Sequence, residues 1–461
     1  MAERLSARRA LALVTDDFTE LPRGADRPEP DGPLAWPGYD AARARAAERT
    51  GEEESVICGT ARVEGTRAVL IAFEFGFLGG SLGRRAGDRL EAAYAYAREH
   101  RLPVVPLVAT GGSRMQEGMV ALTQLQRVAR QSVLTREAGL PQIAVVRDPT
   151  TGGGWATLGA GADVTLALPG AQVGFAGSRV RPADADPAAY TAQAQVASGA
   201  ADAVVAAREL RGTLGRWLRL LTRPSGEPAP PPEPLGAAGL PATGWEAVRR
   251  ARSPRRPRAE RYLAAYFTDR VALSGDRCGG TDPEGMLCGF GEHDGRTVAY
   301  AAQTGTATRP AGYRTAARLV RLADRLGIPV LTLVDTPGAA NDAQAERQGA
   351  GSAIADLFAA VAGARTPVTT LVIGEGGSGG ALALAAPGNT WAAPDSYFSV
   401  IAPDLAAAIL KRPPEQVRAT ADQLRVRPQD LVELGVIRGV AGPSRVRPAP
   451  PAPPGRPAAP P

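Results

Sequence analysis

Apolar positions in this chain form short runs that alternate with amphipathic stretches. The runs VVPLVAT and QIAVVRD follow stretches of helical periodicity, RAGDRLEAAYAYAREHRLP and VALTQLQRVARQSVLTREAG. Short continuous apolar runs between helical segments are typical of buried parallel strands joined by crossover helices. The pattern therefore predicts an α/β fold with a buried sheet.

Two segments alternate with the period of a strand. Gly59 to Phe77 alternates around a turn at Glu64 and Gly65, and GMLCGFGEHDGRTVAYAAQTG follows the same plan later in the chain. Each segment predicts a β-hairpin. Residues 1 to about 55 are charged and alanine-rich, so we expect helices there around a loop at DRPEPDGPLAWPGYD.

One pattern occurs twice in the chain. LPVVPLVATGG at Pro103 matches IPVLTLVDTPG at Pro329, and LPQIAVVRDPTTGGG at Pro141 matches TPVTTLVIGEGGSGG at Pro367. The prolines are 38 residues apart in each half, and the halves are offset by 226. We therefore expect two tandem copies of one domain, at residues 1–223 and 245–442. A Pro/Gly-rich linker is expected at 224–244 and a disordered tail at 443–461.

Composition narrows the classes of function. The chain has 461 residues, 44% of them hydrophobic, and a formal net charge of +6. Arginines cluster from Arg249 to Arg261, where a solvated helix or linker face is favoured over a polyanion site, so no nucleic-acid partner is expected. No apolar stretch approaches the roughly 20 residues of a membrane span, so we expect no membrane contact and a cytoplasmic location.

The cysteines do not form a recognisable metal motif. Cys58, Cys278 and Cys288 are three in number and form no CxxC pair. Cys278, Cys288 and His293 would supply three zinc ligands at poor spacing with no fourth, so reduced structural thiols are favoured and no metal is predicted.

The glycine cluster VIGEGGSGGALALA fits two motifs that involve side-chain or dinucleotide chemistry. Gly374, Gly376 and Gly379 spell G-x-G-x-x-G, with Asp395 further on as the acidic residue of a dinucleotide site. Gly376, Ser378 and Gly380 also spell the G-x-S-x-G of serine hydrolases. That hydrolase reading lacks a histidine after the serine, because His100 and His293 both precede it.

A third interpretation of the cluster needs no side-chain catalyst. Glycines between a strand and a helix can present backbone N–H groups to a developing oxyanion, such as a thioester enolate. The first half offers a similar device at ATGGSRMQEG, where Gly111, Gly112 and Ser113 lead into a helix after Met115. The middle pair of turns, Gly152 to Gly154 and Pro337 to Gly338, is open to a purely structural reading.

Long motifs in order resemble the carboxyltransferase component of biotin-dependent acetyl-CoA carboxylase. FEFGFLGGSLGRRAGDRL, ATGGSRMQEGMVALTQL and RDPTTGGGWATLGAGADVTLALPG are similar to its β-subunit. GWEAVRRARSPRRPRAERYL, PAGYRTAARLVRLADRLGIPVLTLVDTPGA and VIGEGGSGGALALA are similar to its α-subunit. The resemblance spans about residues 55 to 442, as expected of a fused β–α chain. It implies two tandem ClpP/crotonase-like domains.

The resemblance also implies a reaction. The family transfers a carboxyl group from carboxybiotin, presented on a biotin carboxyl carrier protein that works with biotin carboxylase, to the α-carbon of an acyl-CoA. The first half is then expected to hold acetyl-CoA and the second half biotin, in a homodimer or larger assembly. Biotin itself can take the acyl α-proton, which fits a chain with two histidines.

Site residues are carried over from the family motifs. Catalytic amides are expected at Gly111, Gly112, Gly379 and Gly380. The expected substrate-binding positions are Ser113, Arg114, Gly152, Gly153, Phe175, Gly338, Gly376, Gly377, Ser378 and Ala381.

The chain departs from the family pattern at three places. It lacks the four-cysteine zinc ribbon of many β-subunits, its α-type motif reads TPGAAND at Ala340 and Asn341, and Ser113 replaces the usual alanine. Three alternatives therefore stay beside malonyl-CoA formation: transfer to propionyl-CoA or another acyl-CoA, decarboxylation of a malonyl thioester, and an inactive scaffold that docks the carrier.

Overall fold

A computed structural model describes residues 4–22 and 29–442. The tail predicted at 443–461 lies outside the described residues. Within them the chain folds into two successive halves, each built on its own mixed sheet.

The first sheet has the order β1-β2-β3-β4-β5-β6-β8, with β7 paired to β5. Strands β1 to β3 run antiparallel and the remaining pairs are parallel. Its strands in the described chain are β1 (Asp17–Glu20), β2 (Val56–Val63), β3 (Thr66–Phe73), β4 (Val104–Thr110), β5 (Ile143–Thr151), β6 (Val164–Ala167), β7 (Val173–Gly174) and β8 (Ala203–Val204).

The second sheet repeats this plan in the order β9-β10-β11-β12-β13-β14-β16, with β15 paired to β13. Strands β9 to β11 are antiparallel and the others parallel. Its strands in the described chain are β9 (Asp269–Ala272), β10 (Met286–His293), β11 (Arg296–Gln303), β12 (Val330–Thr336), β13 (Val368–Gly377), β14 (Thr390–Ala392), β15 (Tyr397–Ser399) and β16 (Gly439–Val440).

Helices cover both sheets. Those of the first half, as far as the chain is described, are α1 (Ala7–Val14), α2 (Tyr39–Thr50), α3 (Arg84–Glu99), α4 (Gly118–Glu137), α5 (Gly152–Gly154), α6 (Ala192–Ala197) and α7 (Ala207–Leu221). Those of the second half, over the same described ranges, are α8 (Gly244–Ala251), α9 (Ala259–Tyr266), α10 (Pro310–Leu326), α11 (Ala343–Arg347), α12 (Ala350–Gly363), α13 (Ser378–Leu382), α14 (Pro403–Ile409), α15 (Val417–Gln423) and α16 (Pro428–Glu433).

The glycine turns follow the carboxyl ends of central parallel strands in each sheet, β4 and β5 in the first and β12 and β13 in the second. Side chains of β4 and β12 are buried along their full length, which explains why these strands read as continuous apolar runs rather than alternating ones. Each strand feeds a crossover helix, as expected of parallel pairing.

One hydrophobic core extends across the boundary between the halves. It contains Trp217 and Leu218 of α7 together with Phe290 of β10 and residues of α10. The rings of Trp217 and Phe290 meet edge to face, with centroids 6.1 Å apart. The halves are therefore packed against one another by apolar contact.

Charged groups reinforce this boundary. The buried carboxylate of Asp202, next to β8, accepts hydrogen bonds from Arg277 at 2.5 Å and from Arg318 of α10 at 3.1 Å. Asp163 pairs with Arg325 of α10 at 2.7 Å. Carboxylates of the first half thus bind arginines of the second.

The segment joining the halves lies along the second half. Residues 224–243, which we call the strap, contain no helix or strand. The Tyr262 hydroxyl accepts a hydrogen bond from Leu235 N, the Tyr266 hydroxyl donates to Pro230 O, and Ala229 is buried in the core beside α9. The two tyrosines of α9 therefore fix the path of the strap.

Candidate active site

Two glycine turns meet in the first half. The turn after β4 carries Thr110 to Ser113, and the turn after β5 carries Gly152 to Gly154. They approach so closely that a Cβ on Gly152 would lie 3.2 Å from the Cα of Gly112. Gly111 and the side chain of Phe175 are exposed here. The backbone carbonyl of Phe175 accepts a hydrogen bond from the N–H of Gly152 at 2.9 Å.

The second half repeats this arrangement at an offset of 226 residues. Gly152 and Ser378 occupy matching positions with φ of +65° and +64°. The amide of Gly112 donates to Thr110 Oγ1 at 3.0 Å, and that of Gly338 donates to Thr336 Oγ1 at 3.2 Å. The parallel bridges Leu82–Ser113 and Thr308–Ala339 also match. The duplication therefore extends to individual hydrogen bonds.

This correspondence agrees with the 226-residue repeat of the sequence. Gly111 and Gly112 resemble Gly379 and Gly380 as glycine turns, but they are not their counterparts. In the structure Gly112 corresponds to Gly338, and Gly153 corresponds to Gly379. The middle pair of turns thus lies directly beside the outer pair in each half.

The backbone N–H groups of the turn at Gly111 and Gly112 and of the turn at Gly379 and Gly380, which are not counterparts, differ in availability. In the first half Gly111 N already donates to Gly79 O at 2.9 Å, and Gly112 N is held by Thr110. In the second half, over the described residues, the amides of Gly379 and Gly380 donate to no loop carbonyl or side chain. The first N–H groups of a helix lack intrahelical partners, so these two are free for a ligand.

The room for a side chain also differs between the two glycines of the second turn. A Cβ on Gly379 would meet no atom within 4 Å, whereas one on Gly380 would lie 2.5 Å from Tyr313 Oη and 2.7 Å from Ala339 N. Gly379 therefore faces open space, and Gly380 faces the protein behind it.

Arg114 supports the first turn from within. Its side chain is fully buried and bonds both oxygens of Glu54, the Tyr39 hydroxyl and the carbonyl of Ser81. Burial alone would raise the pKa of Glu54, but the guanidinium beside it holds that pKa below its usual range. With no exposed atom, Arg114 is placed to hold the turn, not to touch a ligand.

A different ion pair supports the second turn. Asp335, near the end of β12, is buried. Its carboxylate accepts hydrogen bonds from Arg256 at 2.5 Å, from Arg258 at 3.2 Å and from the backbone N–H of Glu375 at 3.1 Å. The first-half counterpart of this aspartate is Ala109, and the counterpart of Arg114 is Ala340. The interpretation of the arginine run as a solvated face is wrong for Arg256, which is buried against β13.

The remaining predicted residues lie around these turns. Ser113 is half-buried beside Gly112, while Gly376 and Gly377 end β13 with no room for a side chain against Phe398 and the Pro337 carbonyl. Ser378 is half-buried and Ala381 is buried.

The competing motif readings find no support in the geometry. Asp395 is buried against the strap, where a Cβ on Gly236 would overlap its carboxylate. His100 ends α3 and stacks on Tyr96, while His293 ends β10 and stacks on Tyr266. His100 is thus held by a ring of its own helix, and His293 by a ring at the end of α9.

The cysteines are free thiols in the described chain. Cys58 and Cys288 are buried, which raises the pKa of each to about 12, and Cys278 is exposed. Among residues 4–22 and 29–442 no group of three or more His, Cys, Asp and Glu side chains is arranged to hold a metal ion. No helix of those residues is long and apolar enough to cross a membrane.

Fold and site together define a chain of two tandem crotonase-like domains with paired glycine turns. The model of the carboxyl transferase domain matches residues 36–232, and that of acetyl co-enzyme A carboxylase carboxyltransferase-like proteins matches residues 241–444. The chain belongs to this carboxyltransferase family, with β- and α-type sequences joined in one polypeptide, and it is an enzyme of that class.

Individual relatives agree with this placement. The acetyl-coenzyme A carboxylase carboxyl transferase subunits beta/alpha of Saccharopolyspora erythraea are 38% identical over 87% of this chain and 74% of that protein. A probable biotin-dependent acyl-coenzyme A carboxylase beta3 subunit of Mycobacterium tuberculosis is 35% identical over 92% of this chain and 88% of its own length. The transcarboxylase 12S structure, at 22% identity, matches the fold with a TM-score of 0.77 over 96% of this chain and 87% of the other.

Proposed function

We propose that this chain transfers the carboxyl group of carboxybiotin to acetyl-CoA, forming malonyl-CoA. Biotin-dependent carboxyl transfer to an acyl-CoA is the activity of the family, and relatives named for acetyl-CoA carboxylase at 38% identity favour acetyl-CoA as the acceptor. The observation that carries the proposal is the duplicated meeting of two glycine turns, one pair in each half. A reaction that joins two carbonyl-bearing ligands needs two such sites.

Each half is assigned one ligand. The first-half turns, with Gly111, Gly112, Gly152 and Gly153 beside the exposed ring of Phe175, are proposed to hold the acyl-CoA thioester. The second-half turns, at Gly338 and from Gly376 to Ala381, are proposed to hold biotin. Ser113 contributes to the first site from its half-buried position.

The chain's contribution is placement and hydrogen-bond donation. Carboxybiotin would supply the carboxyl group and, once that group has left, a base for the acyl α-proton. Amides at Gly379 and Gly380 are proposed to donate to the biotin-side oxygen, which fits their lack of other acceptors and the open space at Gly379. Donors fixed in the backbone need no reorganisation when charge develops.

In the first half, two of the proposed N–H donors already have acceptors within the protein. Because Gly111 and Gly112 already donate to Gly79 O and Thr110 Oγ1, the thioester oxygen would have to share these N–H donors or displace their present acceptors. The amide of Ser113, next in the chain, donates to no acceptor among the described residues and lies at the same turn. We therefore include Ser113 N among the proposed first-half donors.

A broader acyl-CoA range is the second candidate. The Mycobacterium tuberculosis relative is named for acyl-coenzyme A without a specified acyl group. The exposed Phe175 lies at the proposed acyl site, so its contacts bear on chain length.

The proposed partners follow from the reaction. A biotin carboxyl carrier protein would present carboxybiotin, a biotin carboxylase would recharge it, and the chain itself would act as a homodimer or larger assembly. The transcarboxylase 12S structure is described as a hexamer.

A substrate panel tests the proposal. Charged biotin carrier protein is incubated with the chain and acetyl-, propionyl- or butyryl-CoA, and carboxylated CoA products are quantified. The proposal predicts the highest kcat/KM with acetyl-CoA. A preference for propionyl- or butyryl-CoA supports the second candidate, malonyl-CoA breakdown without biotin indicates a decarboxylase, and no turnover with any acyl-CoA indicates a docking scaffold.

A further inference from the structure

The two turns are supported from behind by different kinds of side chain. Gln303 is the last residue of β11 and pairs with Met286 of β10, just as Phe73 ends β3 opposite Val56. Both positions are fully buried. The fold therefore accepts an apolar residue here, and the second half carries an amide instead.

The amide of Gln303 is bonded to the glycine turn. Its Nε2 donates to the carbonyl of Gly380 at 3.1 Å and to Thr308 Oγ1 at 3.4 Å, while Oε1 has no hydrogen-bond partner in the described chain. The opposite amide orientation would set Oε1 against the Gly380 carbonyl, so the contact itself fixes which way the amide points.

Among the described residues the carbonyl of Gly380 has no hydrogen-bond donor other than Gln303. Amides that follow α13 donate to Gly379, Ala381 and Leu382, which leaves the Gly380 oxygen between them unused by the backbone. An unpaired buried carbonyl is destabilising. Gln303 supplies the missing donor to a helix of only five residues.

Tyr313 closes the same space from the other side. It lies in the first turn of α10, is 1% exposed, and its hydroxyl would be 2.5 Å from a Cβ on Gly380. Burial raises the pKa of this hydroxyl, and the neighbouring Thr308 only partly opposes that effect, so Tyr313 stays neutral. Its first-half counterpart is Gly87, so this wall too is specific to the second half.

We infer that Gln303 is a positioning residue for the second-half turn, with Tyr313 packed against the same glycine, Gly380. It holds the Gly380 peptide from behind so that the amides of Gly379 and Gly380 keep facing the cleft. The inference rests on the proposed function for its catalytic consequence.

Substitution of Gln303 by methionine of similar size separates this role from a structural one. Gln303→Met removes the donor and also the unpartnered Oε1, so thermal stability should be kept or raised. Hydrogen exchange over residues 374–384 should become roughly 3- to 10-fold faster, and kcat for carboxyl transfer should fall by a similar factor with KM for acyl-CoA unchanged. Unchanged exchange in this segment, or an unchanged kcat, overturns the inference.

Further variants keep the test decisive. If Gln303→Met fails to fold, Gln303→Leu, which also removes the donor without adding a polar group, is expected to show the same exchange and kcat changes. Tyr313→Phe is compared with Tyr94→Phe, a buried tyrosine of the first half, and only the former should alter exchange over 374–384. Gln131→Leu, remote from both turns, should lower stability without lowering kcat.

The exchange measurement requires no activity. If the wild-type chain transfers no carboxyl group, the proposed function fails while faster exchange in Gln303→Met still supports the positioning role. If the wild-type chain transfers the carboxyl group normally and exchange in Gln303→Met is identical to wild type, the positioning role fails while the proposed function stands.

Discussion

Single atoms decide what each glycine of the second turn can tolerate. Gly379 has open space where a Cβ would be, and Gly380 has the Tyr313 hydroxyl and the Ala339 amide there. A side chain added at Gly379 therefore enters the proposed biotin cleft without disturbing the core. Substitution at this residue tests the site separately from the fold.

Gly379→Val is expected to slow carboxyl transfer roughly 10²-fold, which is the size of effect produced by losing one oxyanion donor. The added side chain blocks the approach of a ligand to the free amides. Steady-state kinetics with charged carrier and acetyl-CoA measures the change, and the melting temperature should stay near that of wild type.

Gly351→Val is the matched control for this substitution. Gly351 also has no atom within 4 Å of a Cβ position, but it lies on the exposed side of α12. The control should retain wild-type transfer. Equal rates for both valine variants would show that Gly379 does not face the reacting ligands.

Arg114→Met is expected to lower the free energy of unfolding by about 3–5 kcal/mol, because it leaves the buried carboxylate of Glu54 without its partner. Denaturant unfolding measures the loss. The double variant Arg114→Met/Glu54→Gln should recover part of it, since both charges are then gone. A loss below about 1 kcal/mol in the single variant would contradict the assigned role.

Helices and strands were predictable from sequence where a local pattern of apolar residues or a short turn determines them. The hairpins appear as expected, as β2 with β3 and β10 with β11, since alternation and a turn at Glu64 and Gly65 specify both strands and register. Crossover helices α3 and α4 also begin and end within about four residues of the periodic stretches. Local pattern sufficed for the helices because each has one face in the core, and for the hairpins because a short turn fixes the strand pairing even though β3 and β11 are buried on both faces.

Elements defined by distant partners were missed. Strand β1 lies in the segment predicted to be helical, and it forms by pairing with β2, about 40 residues away. The strap has no apolar periodicity, since its path is fixed by hydrogen bonds with the hydroxyls of Tyr262 and Tyr266 in α9. Turn glycines were found from the repeat, but their spatial pairing and the ion pairs of Arg114 and Arg256 depend on tertiary contacts that no local pattern encodes.

Asp202→Asn tests how α10 is held against the first half. The variant leaves Arg277 and Arg318 without their carboxylate, so the free energy of unfolding should drop by about 3 kcal/mol, at the low end for a broken buried pair since both arginines keep some exposure. Denaturant titration of both proteins gives the difference.

The pH dependence of that difference follows from the pKa of Asp202. Burial alone would raise this pKa, but Arg318 and Arg277 lower it below the ordinary value of about 3.9. A lowered folded-state pKa gives stability that is present above the unfolded pKa and lost as pH falls through the folded one. The gap between wild type and Asp202→Asn should be constant from about pH 5 to 8 and narrow only below about pH 4. A gap that narrows near neutrality would contradict this.

The whole molecule carries exposed apolar residues in both halves. The first-half patch consists of Met115, Met119 and Leu122, of which Met115 is 78% exposed. The second-half patch consists of Val400, Ile409 and Leu410, of which Val400 is 74% exposed. Large exposed apolar groups of this kind mark interaction surfaces, in agreement with the proposed self-association.

Met119→Glu and Ile409→Glu are expected to shift the chain toward monomer in sedimentation velocity, because each places a charge on one of these patches. Carboxyl transfer should fall in parallel if assembly completes the site. Leu240→Glu, on the exposed side of the strap, is the control and should change neither. A wild-type chain that sediments as a monomer at micromolar concentration would contradict the proposed assembly.

The central claim is that paired glycine turns in the two halves carry out carboxyl transfer between carboxybiotin and an acyl-CoA. It is tested most directly by following carbon-14 from a charged carrier protein into CoA thioesters, with wild type, Gly351→Val and Gly379→Val side by side. The account predicts labelled malonyl-CoA from acetyl-CoA with the first two proteins and a rate roughly 10²-fold lower with the third. Label that stays on the carrier or escapes as bicarbonate with every acyl-CoA, or that moves equally fast with Gly379→Val, would contradict it.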